Sequence, residues 1–242
     1  MDFKRILFGA IIVIVLYIFY TSVFADKSKN DLVTMHNGKQ SHSIPSEKLS
    51  VSKSVDYTYA FWIYINDYNY RYSDKKVVLK RSKKIGDKEK VFPEISLGKN
   101  QNNIHFKVSM EEGGNYTHSD IVVNTIPLQK WNHVIMTKSG SSVDIYLDGK
   151  LVKTHILPKQ VAAVEDTNIL ITPNESGEST GEHGFAGYLS KVNYYPNAIN
   201  TREAYQLYKE GYGSGMLGDF FNRFKLKFAF LQDNQEKSSI IL

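Results

Sequence analysis

The chain contains no cysteine, which excludes disulfide bonds, thiolate metal sites and a cysteine nucleophile. Small secreted domains often depend on disulfides, so their absence favours a reducing environment or a source that does not rely on them. Proline and glycine are not enriched, so most of the chain should fold. No nucleic-acid-binding motif accompanies the net charge of +5, and binding to nucleic acid is therefore not predicted.

The length of 242 residues accommodates one β-sandwich with appendages, or two small domains. Tyrosine is abundant, with 16 residues, and this favours strands over helices. The mild positive charge suits anionic partners such as lipid headgroups, acidic glycans or an acidic protein surface. An ordinary solvated basic surface is the favoured interpretation.

Residues 6–25 form an apolar run without a charged side chain. About 20 helical residues span the roughly 30 Å hydrocarbon core of a bilayer. Tyr17 and Tyr20 lie near one end, where interfacial aromatic residues are expected. The small-residue pattern at 23–25 leaves a cleaved signal peptide as the alternative, but the run is longer than a signal core. We therefore predict a transmembrane anchor over residues 1–25 and a single-pass membrane location.

The anchor is followed by a polar segment and then by a strand-rich region. Residues 26–52 are rich in Ser, Lys, Asn and Asp without apolar periodicity, which predicts a tether. From residue 55 onward, short alternating runs are separated by turn residues, a pattern typical of an antiparallel sandwich. The predicted strands are 57–65, 77–81, 94–97, 104–110, 121–124, 133–138, 143–147, 151–155, 168–172 and 185–195.

Two local signals are especially informative. The Asp148-Gly149 pair between two apolar runs predicts a hairpin with a type I′ turn. Asn200, with Glu203 three residues later, predicts the start of a short helix that Gly211 ends.

Five segments in order resemble the laminin-G-like, concanavalin A-like jelly-roll domains: residues 59–64, 126–134, 143–152, 184–189 and 194–211. The most specific pieces are Trp-Asn-His-Val at 131–134 and Ile-Tyr-Leu-Asp-Gly-Lys at 145–150. The resemblance implies an all-β antiparallel β-sandwich over residues 53–212, preceded by one transmembrane helix and followed by a short C-terminal helix and a hydrophobic tail. That family consists mainly of carbohydrate-binding, adhesion and structural modules, with some glycan hydrolases. Ser190 and Lys191 stand where many members carry an acidic pair.

The sequence does not predict an enzyme. Glycan hydrolysis needs two closely placed carboxylates, and no Glu-x-Asp-x-Glu run occurs on a predicted strand. Glu94 stands alone, and the histidines have no spacing suited to zinc. The oxygen-rich loop 172–183 leaves calcium as the one cofactor open, although a solvated turn is the favoured interpretation. We predict no catalytic, cofactor-binding or metal-binding residue.

Candidate contact residues fall in two neighbouring segments. The loop 67–74 carries polar-tipped aromatic side chains, namely Tyr68, Tyr70 and Tyr72. The basic segment 75–90 suits an acidic partner, and its candidate contacts are Lys80, Arg81, Lys83 and Lys84. A solvated hairpin is the alternative for that segment. Trp62 and Trp131 are predicted to pack in the domain rather than to stack on sugars.

The C-terminal residues 213–242 form a phenylalanine-rich tail. Helical spacing and a period-two alternation both occur in it, so an amphipathic helix and a strand remain open. The tail could pack on its own domain, lie on a membrane or dock on a partner. Its candidate contact residues are Phe220, Phe221, Phe224 and Phe228.

These features together predict a non-catalytic, membrane-anchored scaffolding protein that uses a lectin-like domain for protein contacts in an assembled layer. The Lys/Asn/Tyr-rich, cysteine-free composition is similar to that of virion proteins of large DNA viruses, where it would suit a minor capsid protein at an internal membrane. A glycan-binding receptor or adhesin is the alternative. A glycoside hydrolase is third.

Overall fold

The computed structural model describes residues 31–49, 55–159, 161, 166–173, 183–213, 227–232 and 235–241. The chain divides into two units, one spanning Asp31–Tyr212 and the other combining Met1–Asn30 with Gly213–Leu242. Of the second unit, only a two-stranded hairpin is described.

The larger unit is a sandwich of two six-stranded antiparallel sheets. The first sheet has the order β1-β12-β3-β8-β9-β10, and its strands are β1 (Asp31–Asn37), β3 (Tyr57–Asp67), β8 (Trp131–Ser139), β9 (Ser142–Leu147), β10 (Lys150–Ile156) and β12 (Ala186–Tyr195). The second sheet has the order β2-β11-β4-β5-β6-β7, and its strands are β2 (His42–Ile44), β4 (Lys76–Ile85), β5 (Lys88–Leu97), β6 (Ile104–Glu112), β7 (Asn115–Val123) and β11 (Ile169–Ile171). A single 3-10 turn, Ser46–Lys48, follows β2.

The core lies between the two sheets because alternate residues of each strand point inward. In β3 the inward set is Tyr57, Tyr59, Phe61, Ile63 and Ile65, all fully buried. In β6 it is Ile104, Phe106, Val108 and Met110. The predicted all-β antiparallel sandwich is confirmed.

A short helix, α1 (Thr201–Lys209), packs on the outer face of the first sheet. Asn200 and Glu203 form the predicted capping box, and Gly211 follows the helix at φ +72°. Ala204 is buried against Ala60 and Tyr146 of the sheet. The predicted Asp148-Gly149 hairpin is also present, with both turn residues at positive φ, as a type I′ turn requires.

The structure differs from the predicted tether over residues 26–52. β1 pairs with β12 and β2 pairs with β11, so each sheet receives a strand from this segment. Ile44 and Leu49 are buried in the core. The prediction of a tether was wrong because a polar composition is also compatible with edge strands. Such strands expose much of their length and need few apolar residues.

The predicted anchor over residues 1–25 lies outside the described residues. Among the residues that the structure does describe, no helix is long and apolar enough to cross a bilayer.

In the tail, β13 (Lys227–Gln232) pairs antiparallel with β14 (Gln235–Ile241). Phe228 therefore lies in a strand, as the period-two alternative predicted. Phe220, Phe221 and Phe224 lie outside the described residues.

Candidate interaction surfaces

The outer face of the second sheet carries a row of alternating charges. Cross-strand pairing aligns one residue from each of four strands, in the order Lys80, Glu94, Lys107 and Asp120. We call the outward side of β4 to β7 the polar face. Its further members include Lys75, Glu89, Ser96, His105 and His118.

Glu94 is the charged centre of the polar face. Its carboxylate accepts a hydrogen bond from Lys75 and lies 3.5 Å from Nζ of Lys80. Burial opposes ionisation of Glu94, but the hydrogen bond from Lys75 and the charges of the neighbouring lysines outweigh it and lower its pKa. Glu94 is therefore a buried carboxylate held in its charged form.

A second carboxylate extends the same network. Oε1 of Glu89 lies 2.8 Å from Nζ of Lys80 and accepts a 2.8 Å hydrogen bond from Ser82. Burial opposes the charges here too, yet these contacts lower the pKa of Glu89 and raise that of Lys80. Both groups are ionised at neutral pH.

The histidines of the polar face are held by neighbouring strands. Nδ1 of His105 lies 2.9 Å from a carboxylate oxygen of Asp120, and Nδ1 of His118 lies 2.9 Å from Oγ of Ser109. Burial, together with the nearby charge of Lys107, lowers the pKa of His118. His118 is therefore neutral at physiological pH.

A shallow cleft of about 330 Å³ opens on the polar face. Its described lining residues include five charged side chains and two imidazole rings: Lys75, Glu94, Ser96, Leu97, Gly98, Lys99, His105, Lys107, His118 and Asp120. Typical small-molecule sites are mostly apolar with a few polar groups. The cleft differs from them in the number of charged side chains among its lining residues.

The carboxylates of the cleft do not match the needs of glycan hydrolysis. A glycosidase general acid requires a raised pKa, whereas the pKa of Glu94 is lowered. Asp120, the other carboxylate, is engaged by His105. Within the described ranges, no group of three His, Asp or Glu side chains could hold a metal ion. Residues 174–182 of the loop considered for calcium lie outside those ranges.

Two of the three predicted contact tyrosines connect the loop 67–74 to other loops of the domain. The hydroxyl of Tyr68 donates to the carbonyl of Gly98 at 2.8 Å, and burial raises its pKa to about 12. The hydroxyl of Tyr70 donates to the carbonyl of His183. Tyr72 is well exposed. Of this set, only Tyr72 offers most of its ring to a partner.

The predicted basic contacts of β4 separate into two groups. Lys80 lies on the polar face, and Lys83 and Lys84 are exposed near the tip of the β4–β5 hairpin. Arg81 is different, because it is only 4 % exposed. Successive residues of a strand point to opposite faces, so Arg81 points inward where Lys80 points outward. There its Nε donates to the carbonyl of Thr167, and the guanidinium lies over the Tyr194 ring. Arg81 cannot contact a partner from there.

Trp62 packs inside the domain, as predicted. It is 6 % exposed and stacks on His133 and on Tyr208 of α1. Trp131 is half-buried and stacks on Tyr212 with ring centroids 4.8 Å apart. Trp62 is thus buried, and Tyr212 covers one face of the Trp131 ring.

Trp131 belongs to a surface that the sequence analysis did not identify. On the outer face of the first sheet, cross-strand pairing places Tyr188, Tyr64 and Trp131 side by side on β12, β3 and β8. Met35 of β1 is 55 % exposed and Tyr188 is 47 % exposed. We call Met35, Tyr64, Trp131, Tyr188 and Tyr212 the aromatic patch. Because its members come from distant parts of the chain, no local sequence signal reveals it.

The family model described as the concanavalin A-like lectin/glucanases superfamily matches residues 36–204. This range covers most of the sandwich. The chain belongs to that superfamily. Among curated proteins, none matches the sequence.

Solved structures share the concanavalin A-like fold at low sequence identity. The receptor-binding domain of botulinum neurotoxin mosaic serotype C/D is 12% identical, with a TM-score of 0.55 over 74% of this chain and 45% of that one. The binding domain of neurotoxin DC, solved in complex with rat synaptotagmin II, is 14% identical, with a TM-score of 0.51 over 70% and 39%. The serotype G binding domain is 16% identical, with a TM-score of 0.50 over 73% and 46%. This chain therefore matches less than half the length of each of these structures, and the likeness concerns the fold alone.

Proposed function

We propose that the protein is a non-catalytic, membrane-anchored scaffold whose lectin-like domain binds a protein neighbour through the polar face. The observation that carries this proposal is the row of alternating charges from Lys80 to Asp120 across four strands. Such a pattern suits a partner surface of complementary charge, because it fixes register and rejects wrongly charged partners. The exposed Lys83 and Lys84 extend the surface along the β4–β5 hairpin.

The chemistry of the cleft supports a protein partner over a small molecule. Five of its lining residues are charged, and the pKa of Glu94 is lowered. A solved relative in fold, the neurotoxin DC binding domain, is complexed with a protein, rat synaptotagmin II. The fold therefore occurs within a domain that was solved with a protein partner.

The anchor over residues 6–25 is the second part of the proposal, and it would tie the bound neighbour to a bilayer. We propose an assembled layer as the setting, such as the capsid and internal membrane of a large DNA virus. Composition alone supports that setting. A scaffold of this kind would occur in fixed stoichiometry with its neighbour.

Cross-linking mass spectrometry on the source membranes, with the full-length chain in place, tests the scaffold. We expect abundant links from residues 75–90 to one repeating protein. Replacing Lys83 and Lys84 by Glu should remove most of these links, whereas Lys150→Glu should not. Lys150 is the control because it is equally exposed but lies on β10 of the other sheet. Links only within the chain itself would overturn the proposal.

Binding of an acidic glycan is the second candidate function. Lys99 and Lys107 line the cleft, and Lys75 also reaches it, so a sulfate or carboxylate group would meet several ammonium groups. A screen of sulfated and uronate-containing oligosaccharides, repeated with Lys107→Gln, tests this function. We expect binding that weakens with added salt and that the substitution abolishes. Binding that the substitution leaves unchanged would show that the cleft is not the site.

A further inference from the structure

The cleft on the polar face carries more positive than negative charge. Its charged lining residues are Lys75, Lys99, Lys107, Glu94 and Asp120. Glu94 accepts a hydrogen bond from Lys75 and lies 3.5 Å from Nζ of Lys80, and Asp120 lies 2.9 Å from Nδ1 of His105. The two carboxylates of the cleft are thus already held by side chains of the chain itself.

Two lysines of the cleft keep their ammonium groups available. Within the part of the chain that the structure describes, neither Lys99 nor Lys107 places its ammonium group in an ion pair or a hydrogen bond. Lys99 is exposed and Lys107 is partly exposed, so both can be reached from outside. A carboxylate that enters the cleft would therefore meet two cations that can form charge-assisted hydrogen bonds with it.

His118 supplies a third donor, because its neighbours fix which ring nitrogen carries the proton. The backbone N–H of Val91 donates to Oγ of Ser109 at 2.8 Å, and that Oγ lies 2.9 Å from Nδ1 of His118. Ser109 is fully buried, and among the described residues its hydroxyl has no other acceptor. The hydroxyl therefore donates to Nδ1, since a buried donor without a partner is costly. The neutral ring then carries its proton on Nε2, and His118 offers this N–H to the cleft that it lines.

The charges beside Lys107 indicate which kind of anion fits. Its cross-strand neighbours are Glu94 on one side and Asp120 on the other, each one strand spacing of about 5 Å away. An acidic glycan carries negative groups along its length, and these two carboxylates would repel it. A folded protein surface can instead present one carboxylate to Lys107 and basic side chains to Glu94 and Asp120. The surroundings of Lys107 therefore favour a carboxylate of a protein.

We propose that the cleft binds an aspartate or glutamate side chain of the neighbouring protein, with Lys99, Lys107 and the Nε2–H of His118 as its donors. Basic side chains of the same neighbour lie opposite Glu94 and Asp120. This inference rests on the proposed function, because it takes the polar face as the contact with a protein. It adds which group of the neighbour enters the face and which side chains receive that group.

Carbodiimide cross-linking on the source membranes, with the full-length chain in place, tests this contact. The reagent adds no spacer, so it joins an ammonium group to a carboxylate only where the two groups touch. We expect links from Lys99 or Lys107 to an acidic residue of the protein that a longer cross-linker reaches from residues 75–90. Lys150, exposed on the other sheet, is the control and should form no such link. His118→Phe removes the Nε2–H donor and should lower the yield of these links severalfold, whereas His118→Gln keeps an N–H donor and should lower it less.

The possible outcomes separate this inference from the proposed function. Longer links from residues 75–90 to a neighbour, without carbodiimide links at Lys99 or Lys107, overturn the inference and leave the scaffold intact. The absence of both kinds of link overturns both. Carbodiimide links from Lys107 only to Glu94 or Asp120 of its own chain show that no partner enters the cleft. Links to a uronate-bearing glycan show that the ligand is not a protein, and either result also overturns the inference.

Nitrogen NMR of the full-length chain with isotope-labelled histidine tests the role of His118. At neutral pH we expect a bare Nδ1 and a protonated Nε2, identified by the loss of both signals in His118→Gln. Ser109→Ala should bring the two tautomers of His118 into exchange. Ser119→Ala is the control, because it removes a hydroxyl that contacts His155 and should leave the signals of His118 unchanged. A protonated Nδ1 in the native chain would overturn the assignment of His118 as a donor in the cleft.

Discussion

His133 is a titratable side chain in an apolar position on the outer face of the first sheet. It stacks on Trp62 with ring centroids 4.7 Å apart and also contacts Tyr208 of α1. Burial lowers its pKa to about 3, and the nearby charge of Asp148 only partly opposes this effect. Its Nδ1 atom is buried with no hydrogen-bond partner among the described residues. His133 therefore acts in the folded protein as a neutral aromatic ring.

Replacing His133 by Phe should make the domain more resistant to acid. Below about pH 6.5 the unfolded chain binds a proton that the folded chain does not, so stability falls as the pH drops toward 3. At pH 4.5 this costs the native protein about 2 to 3 kcal/mol, and the variant lacks that cost. Urea denaturation at pH 7 and pH 4.5 measures the difference. An equal loss of stability in both proteins would show that His133 is protonated when folded.

Glu94 differs from His133, because its lysine partners keep its buried carboxylate in the charged form. Replacing it by Gln would leave Lys75 and Lys80 without their shared carboxylate. We expect a loss of about 2 to 3 kcal/mol in the free energy of unfolding, below the usual value for buried pairs because both lysines are partly exposed. Glu112→Gln is the control, since that carboxylate is mostly exposed in its pair with Lys159. Urea denaturation at pH 7 measures both variants. Equal losses of unfolding free energy in Glu94→Gln and Glu112→Gln would show that the contacts of Glu94 do not stabilise the fold.

At the scale of elements, the turn between β9 and β10 positions α1. Gly149 has φ +73°, and a Cβ there would lie 3.0 Å from Cβ of Tyr208 and 3.1 Å from the Tyr205 ring. The turn thus needs glycine both for its backbone conformation and for the approach of the helix. The hairpin and the helix pack as one structural element.

Gly149→Ala should destabilise the domain more than Gly140→Ala. Both residues have positive φ, but a Cβ at Gly140 meets no atom within 4 Å. The backbone cost alone is about 1 kcal/mol, and crowding of α1 adds about 1 to 3 kcal/mol at Gly149. Thermal unfolding of the two variants separates these contributions. Similar melting temperatures for the two variants would show that α1 can move away from the added methyl group without a loss of stability.

At the scale of the whole molecule, residues 31–49 complete both sheets. β1 covers the free edge of β12, and β2 covers that of β11. Ser46 is held to Asn168 by a hydrogen bond across 122 residues of sequence. Together with the buried Ile44 and Leu49, these contacts make the segment part of the domain.

A chain that begins at Asp31 should therefore fold, and a chain that begins at Val55 should not unfold cooperatively. The shorter chain lacks the buried Ile44 and Leu49 and leaves two sheet edges unpaired. Circular dichroism during urea denaturation distinguishes a sharp transition from a broad one. A sharp transition in the chain that begins at Val55 would restore residues 26–52 as a dispensable tether.

Much of the sandwich could be predicted because its signals are local. Period-two alternation marks residues 104–110, Asp148-Gly149 marks the hairpin, and Asn200 with Glu203 marks the helix start. In each case the residues that decide the conformation are neighbours in the chain. The superfamily follows from the order of such pieces.

Only the tertiary structure decided which residues share a surface. The row from Lys80 to Asp120 joins four strands, and the aromatic patch joins strands that lie more than 100 residues apart. Within β4, Arg81 is buried while its neighbour Lys80 lies on the polar face. Register between distant strands sets these outcomes, because moving a strand by one residue reverses the face of every side chain.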